Sequence, residues 1–148
     1  MIIEISNADE VGVDQNPNNG SFDKPLMSFV VNSKICTFCN IIEGKLPGRI
    51  RFQSKDIVVF DNHLDWVPLM LLVSPVRHMT QAEMWMDNNL MGQVALIAAK
   101  MGQEYAPEGF RLLSNFGGHA LQTQDHAHLH ILGGENLGFY LESKKLIQ

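Results

Sequence analysis

Runs and alternations of apolar residues divide the chain into short predicted strands. "RIRFQ" and "DIVVFDN" flank a polar "SKD", which predicts a β-hairpin. "PLMLLVSP" is a continuous apolar run between prolines and is typical of a central strand. "FRLLSN" predicts another strand. "DHAHLHILGG" alternates histidines with apolar residues, as a half-buried strand alternates its two faces.

Two segments have helical spacing instead. "CTFCNIIEG" predicts a short helix that ends at Gly44. Thr80 and Glu83 have the spacing of a capping box, and helical character continues from about Asp87 to Tyr105. The order of elements predicts an α+β domain with an antiparallel β-sheet of about five strands, one long helix and one short helix. The stripe that faces the core of the long helix is Leu90, Val94, Ile97 and Met101.

The first part of the chain has a different composition. Residues 1–34 are rich in Asn, Asp, Gly and Pro and have little to bury, which predicts a loosely ordered extension. "IIEI" and "SFVV" within it could each add an edge strand. The chain has 148 residues, the size of one ordinary domain. We therefore expect a single compact domain over residues 35–148.

Charge and composition narrow the classes of partner. The net charge of −5 argues against broad attraction to nucleic acid or to an anionic membrane. No apolar run approaches the roughly 20 residues that a bilayer span needs. The first residues lack the pattern of a secretion signal, so the cytoplasm is the expected compartment. In a reducing compartment, the two cysteines of "CTFC" favour metal binding or redox chemistry over a disulfide.

The histidine-rich segment leaves two kinds of chemistry open. On a strand, residues two apart lie about 6.6–6.8 Å from one another on one face, so His126, His128 and His130 would line up. A metal site is one interpretation: Cys36 and Cys39 supply two ligands, and the candidates for the rest are the histidine of "SPVRH" and one of the three. The two cysteines could equally be small buried hydrophobic residues.

A catalytic site is the other interpretation. Neutral imidazole at pH 7 is a competent nucleophile and proton carrier. The preceding loop, "SNFGGHALQTQ", offers neutral donors that could hold an anion: Asn115, Gln122 and Thr123. The chain has no Walker-type glycine-lysine loop, so an ATP-driven machine is not indicated.

These motifs together resemble a known family. "HAHLHIL" matches the His-φ-His-φ-His-φ-φ signature of the histidine triad (HIT) nucleotide-binding proteins, where φ is an apolar residue. The following "GG" resembles the branch that hydrolyses purine nucleoside phosphoramidates. "CTFCNIIEGKLPGRI", "LLVSPVRH" and the "SN" and "QT" of the loop are similar to further family landmarks, in family order. The resemblance implies a HIT-like fold and a purine nucleotide substrate.

The resemblance also implies catalytic roles. His128 would attack the α-phosphorus and form a nucleotidyl-histidine intermediate that water then opens. His130 would contact the phosphate or the leaving group, helped by Thr123 and Gln122. Asn115 would help to hold the nucleotide.

Zinc-containing members of the family indicate a ligand set. It maps to Cys36, Cys39, His78 and His126, and the zinc would be structural. A two-fold homodimer is expected from the family alone.

The base and ribose contacts implied by the resemblance are less specific. Phe38, Ile41, Leu46 and Phe60 match an apolar base cleft, although each is equally explained as ordinary core. Asn62 stands where relatives commonly have an aspartate that binds the ribose hydroxyls, and it would share a strand face with Phe60. An amide binds a diol less strongly than a carboxylate does.

Three alternatives to phosphoramidate hydrolysis remain. They are cleavage of dinucleoside polyphosphates, a regulatory nucleotide-binding protein with weak turnover, and a metal protein in which the whole triad binds one ion. Phe116 and the tail "ENLGFYLESKKLIQ" depart from the phosphoramidase branch, which leaves the choice of leaving group open. His63 and His119 match no family landmark and are expected on the surface.

Overall fold

The structure, a computed structural model, describes residues 36–139. The predicted extension over residues 1–34 lies outside the described residues, as do Ile35 and residues 140–148. The predicted domain limits therefore stay a prediction. The elements are α1 (Thr37–Ile42), β1 (Ile50–Gln53), β2 (Ile57–Asp61), β3 (Leu69–Pro75), α2 (Gln81–Met86), α3 (Asn88–Tyr105), β4 (Phe110–Leu113), a 3₁₀ turn (Gly118–Ala120) and β5 (Leu129–Gly133).

The five strands form one antiparallel sheet in the order β1-β2-β3-β5-β4. The predicted hairpin is β1 and β2, and the predicted central strand is β3, which is buried along its whole length. These findings confirm the predicted α+β class with five antiparallel strands. Within residues 36–139, no helix has the length and apolar character needed to span a bilayer.

The two faces of the sheet carry different cores. Alternate residues of a strand face opposite sides, so Val59 and Leu71 join a large apolar core with α2 and α3. Val58, Phe60 and Leu72 face the other side and pack with Phe38 of α1 in a small second core. We call the first side the α3 face and the second the α1 face.

The long predicted helical region is interrupted. Asp87 ends α2 and is also the N-cap of α3, where its side chain accepts a hydrogen bond from the Leu90 N–H over 3.0 Å. Asp is among the best N-cap residues, which explains a new helix start at this position. The capping box of Thr80 and Glu83 is present at the start of α2. The structure thus has one more short helix than the sequence predicted.

The core stripe of α3 is close to the predicted one. Leu90 and Val94 are buried, and Ile97 and Met101 are partly buried against the core of the α3 face. Gly102 of α3 is buried as well, and a Cβ at this position would overlap the ring of Phe110 on β4. Strand β4 can therefore approach α3 closely.

The histidine strand begins later than predicted. β5 starts at Leu129, which pairs with Val73, and the pairing between β3 and β5 ends there. His126 and His128 therefore precede the strand, and His130 lies within it. The prediction that all three lie on one strand was wrong, because side chains from other elements replace strand pairing before Leu129. The alternation still holds, since Ala127, Leu129 and Ile131 lie in the core of the α3 face.

Candidate active site and metal-binding cluster

His126 lies at the centre of a group of four potential metal ligands. It is fully buried, and its Nε2–H donates a hydrogen bond to the Pro75 carbonyl oxygen over 2.8 Å. This contact fixes the proton on Nε2, so Nδ1 keeps its lone pair. Nδ1 lies 3.5 Å from the Sγ atoms of both Cys36 and Cys39.

His78 completes the group from the segment that follows β3. Its Nδ1 lies 3.4 Å from Cys39 Sγ, and its ring packs edge-on against His126 with centroids 4.8 Å apart. The Nε2 atom of His78 is buried and has no hydrogen-bond partner within residues 36–139. One ligand atom from each of the four residues lies within 4.8 Å of the others, so Cys36, Cys39, His78 and His126 form a potential metal site.

The donor set fits a tetrahedral ion. With Zn–S about 2.3 Å and Zn–N about 2.0 Å, sulfur and nitrogen corners of a tetrahedron lie about 3.5 Å apart. The three sulfur–nitrogen distances of 3.4–3.5 Å match this edge. Burial lowers the pKa of His126 to about 4 and raises the pKa of the Cys39 thiol to about 11. The imidazole is therefore ready to bind a cation, whereas the buried thiol needs a cation beside it to ionise.

His128 is placed differently from His126. It is buried, and its Nδ1–H donates a hydrogen bond to the His126 carbonyl oxygen over 2.8 Å. Its ring packs edge-on against Phe38, with centroids 5.2 Å apart. Burial lowers its pKa, so the ring is neutral at pH 7 and the lone pair is on Nε2. A neutral imidazole with a fixed tautomer can act as a nucleophile.

His130 lies beside His128, with ring centroids 4.9 Å apart. Burial is the main cause that lowers the pKa of His130 to about 4, and repulsion from the protonated form of His128 is the second. Two neutral imidazoles thus stand next to each other at neutral pH.

A cavity of about 300 Å³ adjoins both rings. Seven of the residues predicted to contact a nucleotide or to take part in catalysis line it: Phe38, Ile41, Phe60, Asn62, Thr123, His128 and His130. Three others do not belong to its lining as the structure describes it: Leu46, Asn115 and Gln122. The cavity thus joins an apolar part, formed by α1 and β2, to a polar part at the histidines.

Two of the predicted polar contacts have other hydrogen bonds. The Oδ1 atom of Asn62 accepts a hydrogen bond from the Leu64 N–H over 3.2 Å. The amide of Gln122 accepts from the Gly117 N–H over 2.8 Å and donates to the Gln124 carbonyl oxygen over 3.0 Å. Gln122 therefore holds the loop before the histidines, and its predicted contact with phosphate stays a prediction.

Sequence reasoning missed several residues of the site. His63 is exposed, as predicted, but it also lines the cavity together with Arg49. The place of Arg49 near the cavity could have been predicted, because the predicted hairpin brings the start of β1 beside the end of β2. In the structure the Asp61 N–H donates to the Arg49 carbonyl oxygen over 3.0 Å. Gln81 is buried and contacts the backbone of His128, and no local signal in the sequence indicated this.

The fold and the site define a class: an α+β protein with a neutral histidine beside a cavity of about 300 Å³ and a Cys₂His₂ cluster next to it. The family model for the HIT domain matches residues 43–137, and the chain belongs to this family. An uncharacterized HIT-like protein of Buchnera aphidicola subsp. Baizongia pistaciae is 32% identical over 104 residues, which are 68% of this chain and 93% of the relative.

Solved structures of the family have the same fold. A HIT family hydrolase from Clostridium thermocellum is similar with a TM-score of 0.68 and 26% identity, over 74% of this chain and 98% of the other. A HIT family hydrolase from Legionella pneumophila has a TM-score of 0.66 and 29% identity, over 71% and 97% of the two chains. A Zn-bound histidine triad family protein from Mycobacterium smegmatis shares the fold with a TM-score of 0.63 and 21% identity, over 76% and 85%.

Proposed function

We propose that the protein is a hydrolase or nucleotidyl transferase that acts on the α-phosphate of purine nucleoside phosphoramidates through His128. The observation that carries the proposal is the state of the His128 ring. Its Nδ1–H is held by the His126 carbonyl oxygen, and Nε2 is left with the lone pair beside the cavity. The similarity to two HIT family hydrolases supports hydrolytic chemistry.

The reaction would proceed in two displacements at phosphorus. In the first, Nε2 of His128 forms a bond to the α-phosphorus as the P–N bond to the leaving amine breaks, and the amine takes up a proton from solvent. In the second, a water oxygen attacks the same phosphorus, the P–Nε2 bond breaks, and the water gives up a proton. The products are the free amine and the nucleoside monophosphate, and His128 returns to its neutral form.

The cavity supports a nucleotide as the substrate. Phe38, Ile41 and Phe60 form an apolar part that suits a purine base. Thr123 and His130 lie at the polar end with His128 and would contact the phosphate or the leaving group. Asn62 would meet the ribose, but Oδ1 is already shared with the Leu64 N–H, so we expect a weak contact with a diol.

Trapping the intermediate tests the proposal. The protein is mixed with adenosine 5′-phosphoramidate, quenched within one turnover and digested, and the peptide that contains His128 is examined by mass spectrometry. We expect an added adenylyl group on this peptide in the wild type and none in His128→Ala. Faster turnover of diadenosine triphosphate than of the phosphoramidate would instead favour a polyphosphate hydrolase. Nucleotide binding with no product from either compound would favour a regulatory binding protein.

We also propose that Cys36, Cys39, His78 and His126 hold a structural zinc ion, as in the phosphoramidase-like branch of the family. The tetrahedral spacing of the sulfur and nitrogen atoms supports this, and so does the fold shared with a Zn-bound relative. A reducing compartment such as the cytoplasm would keep both thiols available as ligands. Elemental analysis should find one zinc per chain in the wild type and in His128→Ala, and a loss in Cys36→Ser. Zinc loss in His128→Ala with retention in Cys36→Ser would point to a site centred on the triad.

A two-fold homodimer is a further part of the proposal. Strand β4 is at one end of the sheet, and apolar side chains are exposed on and near it: Trp85, Leu112, Leu113 and Phe116. Exposed apolar surface of this kind favours association. Sedimentation should give the mass of two chains for the wild type and of one chain for Leu112→Glu. A monomeric wild type at micromolar concentration would reject the dimer.

A further inference from the structure

Gln81 is a buried polar residue to which neither the motifs nor the proposed chemistry assign a role. It is the first residue of α2 and is 3% exposed. The preceding Thr80 and the nearby Glu83 form the capping box, which holds the helix start from the solvent side. The side chain of Gln81 is directed inward to the segment that contains the histidines.

The amide of Gln81 binds both backbone groups of His128. Its Nε2–H donates to the His128 carbonyl oxygen over 2.8 Å, and its Oε1 accepts from the His128 N–H over 3.0 Å. Two such bonds to one residue are what a neighbouring strand supplies in a hydrogen-bonded antiparallel pair. The pairing of β4 with β5 ends at the pair Leu113 and His130, so the Gln81 side chain takes the place of the missing strand partner of His128.

Further contacts fix the position of this amide. Its Nε2 also contacts the hydroxyl of Ser114, and Ser114 accepts a hydrogen bond from the Trp85 Nε1–H over 3.2 Å. The orientation of the amide is unambiguous, because an N–H can only donate and a carbonyl oxygen can only accept. Gln81 therefore joins α2, the end of β4 and the histidine segment through one side chain.

We infer that Gln81 is a positioning residue for His128, an inference that rests on the proposed function. The His126 carbonyl oxygen orients the imidazole, while Gln81 fixes the backbone from which the imidazole extends. Gln81 does not belong to the cavity lining that the structure describes, so we expect it to act on the reaction through the position of His128 and not by contact with the substrate. A displacement of about 1 Å at a reacting atom can lower a rate by about 100-fold.

The test compares the first displacement in four proteins. Rapid-quench measurements with adenosine 5′-phosphoramidate follow the nucleotidylated enzyme in the wild type, Gln81→Met, Gln81→Glu and Gln93→Met. Met has a similar length but makes neither hydrogen bond, and Glu keeps an acceptor but loses the donor to the His128 carbonyl oxygen. Gln93 is exposed on α3, so its variant is the matched control.

We expect both Gln81 variants to lower the rate of nucleotidylation by about 10- to 100-fold, with KM within about 3-fold of the wild type and zinc content unchanged. Gln93→Met should behave as the wild type. If one Gln81 variant does not fold, the other carries the test. Folded Gln81 variants that react at the wild-type rate, or whose KM rises in step with the loss of rate, overturn this inference alone. A wild type that forms no intermediate overturns the proposed function and, with it, this inference.

Discussion

The two faces of the central sheet differ in what fills them. On the α3 face, strands and helices bury a large cluster that is apolar throughout, with Met84, Val94 and Ile131 at its centre. On the α1 face, a small apolar cluster borders the buried rings of His126 and His128. One sheet thus separates a side that excludes water from a side that holds polar groups in fixed positions.

This difference indicates how the two sides are stabilised. Burial of apolar surface stabilises the α3 face and depends little on direction. Helix α1 has six residues and would not form alone, so its position depends on a few directional contacts, among them those between thiols and imidazoles. Changes on the α3 face should therefore lower stability and spare the chemistry, whereas a change of His128 on the α1 face should lower the activity much more than the stability.

Removal of the proposed nucleophile should have the largest effect. In His128→Ala we expect kcat with adenosine 5′-phosphoramidate to fall by at least about 1000-fold, because the group that forms the bond to phosphorus is lost. The unfolding free energy should fall by about 1–3 kcal/mol, from the lost edge-on contact with Phe38 and the lost hydrogen bond to the His126 carbonyl oxygen. Steady-state kinetics and thermal unfolding measure the two effects. His119→Ala, at an exposed position in the 3₁₀ turn, is the control, and a variant at His128 that kept the wild-type rate would contradict the assignment.

A truncation on the other face should give the reverse result. Ile131 is fully buried on β5, one residue from His130, but it faces α3. Ile131→Ala should lower the unfolding free energy by about 2–5 kcal/mol, and Ile131→Val by about 0.5–1.5 kcal/mol. Denaturant unfolding measures this loss. The kcat of the folded fraction should stay within about 2-fold of the wild type, and a large loss of kcat in Ile131→Val would show that the two faces are not independent.

Removal of metal should have an intermediate effect that is confined to the α1 face. If zinc is present at 100 times its Kd, a chelator should lower the unfolding free energy by about 2.7 kcal/mol. Hydrogen exchange should become faster in α1, because the cysteines that hold its start lose their ion. Amides of α3 should keep their protection. The same chelator should leave Cys36→Ser unchanged, and equal loss of protection in α1 and α3 would argue against a local role for the metal.

The elements that could be predicted from the sequence are those with a local signal. The spacing of apolar residues predicted β1 to β5, α1 and the core residues Leu90 and Val94, because this spacing follows directly from the backbone geometry of strands and helices. The cysteines and histidines of the potential metal site were predicted from motif order. That these four residues lie together in space could be predicted only from the resemblance to the family, since Cys36 and His126 are 90 positions apart.

The features that could not be predicted depend on contacts between distant elements. Gln81 binds the backbone of a residue 47 positions away, and a lone glutamine after a capping box is ordinary in any helix. The late start of β5 depends on the same contact and on the Ser74 hydroxyl, which donates to the Ala127 carbonyl oxygen over 2.8 Å. Leu46 was assigned to the base cleft by position alone; its side chain is exposed and lies outside the described lining, although the next residues, Pro47 and Gly48, belong to that lining.

The smallest predicted effect concerns the pH dependence of stability at the border between the two faces. In the folded state the pKa of His130 is lowered to about 4. Its cross-strand partners, Leu72 and Leu113, carry no charge, and the titratable ring packed against it is that of His128. Its unfolded-state pKa is about 6.5, so between pH 6.5 and pH 4 the unfolded chain binds the extra proton and the folded chain does not. Stability should therefore fall as the pH drops through this window.

At pH 5 this effect of His130 should be about 1 kcal/mol, after allowance for its partial exposure to solvent. Denaturant unfolding of the wild type and His130→Gln, at pH 7 and pH 5, measures it as the difference between the two changes in unfolding free energy. The variant should lose about 1 kcal/mol less than the wild type between the two pH values. Gln93→Met, at an exposed position on α3 that does not titrate, should follow the wild type. Parallel pH curves for the wild type and His130→Gln would show that solvent reaches the His130 ring, and that the α1 face is less dry than its burial indicates.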